Sequence, residues 1–158
     1  MVEGQRLVDV FRPTHYDIYL DINRETKVIA GKTTIKGSAT QTAITLNQKF
    51  LSINHVTVDG QTVIATTNDA DETLTFTVPE PGEMTIVVDY TAPLTDTMMG
   101  IYPSYYQIDG QRKQLIGTQF ETTAARQAFP SIDEPAAKAT FSLAIKYDEH
   151  ENETIIAN

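Results

Sequence analysis

Apolar and polar residues alternate along much of this 158-residue chain. A period of two is the spacing of a β-strand, in which successive side chains face opposite sides of the sheet. Four stretches show it clearly: Tyr16 to Ile22, Leu74 to Val78, Met84 to Tyr90 and Phe141 to Tyr147. We expect each stretch to form a half-buried antiparallel strand. The pattern predicts an all-β fold of about ten strands.

Two Asp-Gly dipeptides predict tight hairpins. Asp59-Gly60 and Asp109-Gly110 each separate two strand-like segments. The favoured two-residue turn needs a positive φ at both central positions, which Asp and Gly tolerate. We therefore expect a hairpin at each dipeptide.

One segment, residues 122–129, has a helical composition. Thr122 or Thr123 could cap the first backbone donors, and Pro130 would end the turn. No internal repeat, low-complexity tract or flexible linker divides the sequence. The sequence predicts a single β-rich domain with one short helical turn.

Composition narrows the classes of partner. The chain has 12 Lys and Arg against 21 Asp and Glu, a formal net charge of -9, which argues against a nucleic-acid partner. No apolar stretch approaches the roughly 20 residues of a membrane span, and the first residues do not resemble a signal peptide. Cysteine is absent, which excludes disulfides and thiolate sites. We expect a cytoplasmic protein with no membrane partner.

The common catalytic signatures are missing. The three histidines, His15, His55 and His150, are far apart, and there is no HExxH, GxSxG, GxxxxGK[ST] or GxGxxG motif. Asp133 and Glu134 are adjacent acids, but neighbouring side chains point apart and make a poor glycosidase pair. We expect no complete active site and no metal site in these residues.

The segment from Gly117 to Phe141 departs from the alternating pattern. Its sequence, GTQFETTAARQAFPSIDEPAAKATF, places Arg126, Asp133, Glu134 and Lys138 among apolar neighbours. Such charges need partners if they are buried. We assign these four residues to structural support, with Arg126 paired to either Asp133 or Glu134.

This segment resembles the signature near the end of the amino-terminal domain of aminopeptidase N family zinc metallopeptidases. That pattern runs TQ, one residue, E or Q, then AR, FP, DEP, K and an aromatic residue. Upstream pieces agree: the RPTHYD stretch from Arg12 to Asp17, the glycine at Gly31 and the GIYPSY stretch from Gly100 to Tyr105. The resemblance covers nearly the whole chain and is nearest to the lactic-acid-bacterium type.

The resemblance implies a saddle-shaped sandwich of antiparallel and mixed sheets that leans on a separate catalytic domain. Residues 1–158 would then be the amino-terminal domain of a larger aminopeptidase, inactive alone. The domain itself would hold no cofactor, with zinc bound in the catalytic domain. Its partners would be peptide substrates and the catalytic domain of the same polypeptide.

The resemblance also implies two substrate-binding residues. Glu121 would bind the free ammonium group of the peptide, and Gln119 would line the pocket for the first substrate side chain. The simpler alternative is that Glu121 caps the turn that follows it, since negative charge is favoured at a helix start. Arg126 and its carboxylate partner would hold Glu121 at a set height.

Two other functions stay open at this point. The chain could be a free-standing β-sandwich module that binds glycans or proteins, although the absence of tryptophan weakens that hypothesis. It could also be a non-catalytic relative that serves as an assembly scaffold. Ser131 departs from the family, in which cysteine is frequent at this position, so local packing there does not depend on a thiol.

Overall fold

The computed structural model describes residues 6–148 and 153–157. The all-β class is confirmed. Within these residues there are eleven strands rather than about ten: β1 Phe11–Asn23, β2 Val28–Ala39, β3 Ala43–Asn47, β4 Ser52–Val58, β5 Gln61–Thr62, β6 Ala65–Asn68, β7 Thr73–Thr77, β8 Gly82–Pro93, β9 Gly100–Ile108, β10 Gln111–Gln119 and β11 Thr140–Tyr147.

The strands form three sheets. A six-stranded sheet has the order β11-β1-β2-β8-β4-β5, a three-stranded sheet the order β3-β7-β6, and β9 and β10 form a two-stranded ribbon. The six-stranded sheet is mixed, because β11 pairs parallel with β1 from His15↔Thr140 to Ile22↔Tyr147. The expectation that this last strand is antiparallel was wrong. The chain reaches β11 through a long connection instead of a hairpin, and only such a crossover allows parallel pairing.

Both Asp-Gly hairpins are confirmed. Val58 pairs with Gln61 across the first turn and Ile108 with Gln111 across the second. All four turn residues have a positive φ, between 48° and 79°. The turn chemistry thus fixes two strand pairings locally.

One hydrophobic core joins the large and the three-stranded sheets. Fully buried residues come from both: Ile35 and Ile86 from the former, Ile44 and Leu74 from the latter. In the large sheet, the ring of Tyr90 lies directly over Gly31, where any Cβ would collide with it. A glycine is therefore required there for close approach of the ring.

The strand at the sheet edge is more exposed than its alternation predicted. Phe141 is 58% and Leu143 50% exposed, although both belong to an apolar series typical of a half-buried strand. They face an open groove, described below, that the rest of the described chain does not fill. The pattern thus identifies an apolar face without saying what covers it.

The helical elements also differ from expectation. A four-residue helix, α1 Leu7–Val10, was not predicted because it is too short to show a helical period. The predicted turn is a 3-10 helix of three residues, Ala125–Gln127, and Ala124 occupies its N-cap without a side-chain hydrogen bond. The proposed threonine caps were wrong. Neither helix in the described part of the chain has the length and hydropathy to cross a membrane.

Candidate functional site

The two proposed substrate-binding residues lie at the end of β10. Gln119 is the last residue of the strand and pairs with Gly100 of β9, and Glu121 follows two positions later. Both residues are exposed. Neither side chain makes a hydrogen bond or ion pair within residues 6–148 and 153–157. The Glu121 carboxylate is thus available to a ligand or to another part of the polypeptide.

A tight turn carries Glu121. The Ala124 amide donates a hydrogen bond of 2.8 Å to the Phe120 carbonyl, and the Glu121–Thr122 peptide bond is cis. On one side of the turn, the Phe120 ring meets Phe129 edge-on at 6.0 Å between centroids. Glu121 therefore projects from a turn with an apolar base, and its side chain forms no capping hydrogen bond with the 3-10 helix that follows.

An ion-pair network is centred on Arg126, in the 3-10 helix that follows this turn. Arg126 donates from Nε to Asp133 Oδ2 at 3.0 Å and from Nη1 to Glu72 Oε2 at 3.1 Å. Lys49 forms an ion pair with the other oxygen of Glu72. The hydrogen bond from Lys49, aided by Arg126, lowers the pKa of Glu72 below its ordinary value. We call these four residues the Arg126 network.

The structure brings together only part of the predicted supporting set. Arg126 pairs with Asp133, whereas Glu134 accepts hydrogen bonds from the Leu7 and Val8 amides at 2.8 and 3.4 Å and so fixes α1. Lys138 is exposed and has no ion pair in the described residues.

Sequence reasoning missed Glu72 and Lys49. Both residues lie in loops, Glu72 54 positions and Lys49 77 positions before Arg126 in the chain. No local motif marks either residue. Ser131 is buried, and its hydroxyl lacks a partner in the described part of the structure.

A groove of about 1020 Å³, lined mainly by apolar residues, lies next to the end of β10. Its walls are formed by one face of β1 and β11, residues of the β9–β10 ribbon, and residues 153–157. Thr118 and Phe120 line it, but their neighbours Gln119 and Glu121 do not. The groove and the exposed acid are therefore separate features at the same end of β10.

No metal centre is found in residues 6–148 and 153–157, where no three His, Cys, Asp or Glu side chains group together. His15 instead hydrogen-bonds Thr140 at 2.7 Å and Asp17 at 3.1 Å, joining β1 to β11.

These features define an accessory β domain that presents an acid at a strand end. Residues 12–158 match the family described as Peptidase M1 N-terminal domain, and the chain belongs to this family. The family expected from the signature segment is thereby confirmed.

The chain is similar to several curated proteins named Aminopeptidase N. It is 54% identical to that of Lactobacillus delbrueckii subsp. lactis and 48% identical to that of Lactococcus lactis subsp. cremoris, each over 98% of the chain. Endoplasmic reticulum aminopeptidase 1 of Mus musculus is 34% identical over 92% of the chain. The chain spans less than a fifth of the length of these relatives, 17 to 18%. The similarity concerns a non-catalytic amino-terminal part.

Proposed function

We propose that this domain belongs to a zinc-dependent aminopeptidase and supplies the site that binds the free amino group of a peptide. Family membership and the names of the relatives support the reaction class. The observation that carries the role of this domain is the exposed Glu121 carboxylate, which has no partner in the described residues. Zinc would be held elsewhere in the polypeptide, since the described residues contain no ligand cluster.

A carboxylate suits this task because an exopeptidase must distinguish a free ammonium group from an internal amide. A charge-assisted hydrogen bond to the ammonium contributes about 1.5–3 kcal/mol. A carboxylate at a fixed position also sets the distance from the amino terminus to the bond that is cleaved. Glu121 would thus determine that one residue is removed at a time.

Gln119 would line the pocket for the first substrate side chain. It precedes Glu121 by two positions at the end of β10, and both side chains are exposed. Its amide can donate and accept hydrogen bonds, so it can accommodate different substrate side chains. This part of the proposal rests on the family resemblance, and the exposure of Gln119 supports it.

Replacing Glu121→Ala in the full-length protein should lower kcat/KM for alanine p-nitroanilide by about 10- to 100-fold, because the ammonium loses its charged partner. Steady-state kinetics measure the loss. Glu83→Ala removes another exposed acid, on β8, without a partner in the described residues, and should leave kcat/KM unchanged. If Glu121→Ala folds normally and matches Glu83→Ala in rate, the proposed role is wrong.

We further propose that the apolar groove is the surface against which the remainder of the polypeptide packs. Half-exposed Leu143, together with Ile145 and Tyr147, presents apolar side chains from β11 to the groove. The relatives are more than five times longer than the matched region, which leaves ample chain to cover it. The partner would thus be the catalytic domain of the same protein.

Leu143→Asp should affect the stability of the 158-residue chain and of the full-length protein differently. In the 158-residue chain the side chain is half exposed, so the free energy of unfolding should change by less than about 1 kcal/mol. In the full-length protein the charge would be buried in the interface, and a loss of about 2 kcal/mol or more is expected. Thermal unfolding of both forms gives the comparison.

Ile64→Asp provides the reference, because Ile64 is 93% exposed and lies outside the groove. The full-length protein should tolerate it. Equal tolerance of Leu143→Asp would show that the groove is not covered by the rest of the polypeptide.

A further inference from the structure

Glu72 connects the turn that carries Glu121 to a different sheet. It lies at the end of the loop between β6 and β7, with φ of 54°. Its carbonyl accepts a hydrogen bond of 2.8 Å from the Gln48 amide, which fixes the backbone. Its carboxylate receives Lys49 on one oxygen and Arg126 on the other. Both the backbone and the carboxylate of Glu72 are therefore held in place, and the carboxylate offers Arg126 a partner at a fixed position.

Arg126 joins Glu72 to the signature segment, residues 117–141, through its own hydrogen bonds. Its Nε and backbone amide both face Asp133 Oδ2, at 3.0 and 3.4 Å, and its carbonyl accepts from the Lys49 amide at 2.8 Å. Asp133 belongs to the same segment as Arg126, so that pair closes the loop on itself. The contact with Glu72, together with the backbone hydrogen bond from Lys49, fixes the loop relative to the three-stranded sheet.

The link from Arg126 to Glu121 is short and well packed. Arg126 lies in the 3-10 helix, and the turn from Phe120 to Ala124 is closed by the hydrogen bond between those two residues. Ala124 is 2% exposed, which leaves the turn little freedom against the core. A displacement of Arg126 would thus move the base of the Glu121 side chain.

We propose that Glu72 is a positioning residue for substrate binding, which acts through Arg126 to set the location of the Glu121 carboxylate. The inference rests on the proposed role of Glu121 and assigns a function to a residue outside the family signature. Glu72 itself does not touch the substrate. In its ion pair with Arg126, the arginine side chain is 13% exposed and the glutamate side chain 27% exposed. This burial is enough to hold the pair in a fixed geometry.

The test is a double-mutant cycle in the full-length protein, measured as kcat/KM for alanine p-nitroanilide. Glu72→Gln keeps the shape of the side chain but removes its charge, and should lower kcat/KM about 10-fold by misplacing Glu121. In a Glu121→Ala background the same change should cause no further loss, because no carboxylate remains to be positioned. A purely structural defect would cause the same fold-loss in both backgrounds.

Asp21→Asn is the matched amide substitution, since it breaks the exposed 2.8 Å ion pair between Asp21 and Lys146 on the edge of the sheet. It should leave kcat/KM unchanged. Glu72→Gln with full activity, or with a loss that multiplies that of Glu121→Ala, overturns the positioning role alone. An unchanged kcat/KM in Glu121→Ala overturns the proposed function and this inference with it.

Discussion

Replacing Arg126→Ala is expected to lower the free energy of unfolding by about 3 kcal/mol, at the lower end of the range for a buried ion pair that loses one partner. The side chains of Arg126 and Asp133 are each only 13% exposed, so the remaining carboxylate would stay largely out of water without its cation. Glu72 would retain Lys49 alone. Urea denaturation of the 158-residue chain, followed by circular dichroism, measures the change.

Lys146→Ala supplies the comparison for this experiment. Its ion pair with Asp21 has a similar distance, 2.8 Å, but Lys146 is 68% exposed. Exposed pairs contribute about 0–1 kcal/mol. Similar losses for the two variants would show that the Arg126 network is solvated and contributes little to stability.

Stability is also expected to fall steeply above pH 10. Burial raises the pKa of Tyr16 to about 12, and it also raises the pKa of Tyr90. In the unfolded chain both phenols ionise near the ordinary value of about 10. The neutral forms therefore favour the folded state fully below pH 10, and this contribution is lost as the pH rises through the folded pKa values. For Tyr16 alone the loss by pH 12 amounts to about 2 kcal/mol.

Urea midpoints recorded between pH 8 and pH 12 test this dependence. Tyr16→Phe should flatten part of the alkaline decline, while lowering stability at neutral pH because the Ile132 amide loses the hydroxyl that accepts its 3.1 Å hydrogen bond. Tyr19→Phe, at a position 41% exposed, should leave the profile unchanged. An alkaline decline of equal slope in Tyr16→Phe and the parent chain would contradict the assignment to Tyr16.

The sequence was sufficient where the determining interactions are local. The Asp-Gly turns require only the conformational preferences of two residues, and both hairpins formed as expected. The β class follows from alternation, which is also a property of neighbouring residues. Glu121 and Gln119 were singled out only because the signature segment resembles that of a known family.

The features that escaped prediction depend on distant pairings. The orientation of β11 is set by its pairing with β1. His15 of β1 pairs with Thr140 of β11, which lies 125 positions later in the chain. Glu72 and Lys49 reach Arg126 only through the folded arrangement of the sheets. Glu134, which the sequence left as a possible partner of Arg126, accepts a hydrogen bond from the Leu7 amide instead, 127 positions away. Residue type and spacing alone cannot identify such partners.

The pairing of β1 with β11 has a consequence during protein synthesis. The outer edge of β1 exposes backbone donors and acceptors until residues 140–147 emerge from the ribosome. The closure of so long a segment is entropically costly and slow compared with hairpin formation. The nascent domain therefore has an unpaired strand edge, able to pair with other chains, through most of its translation. Early contacts with a chaperone would protect this edge.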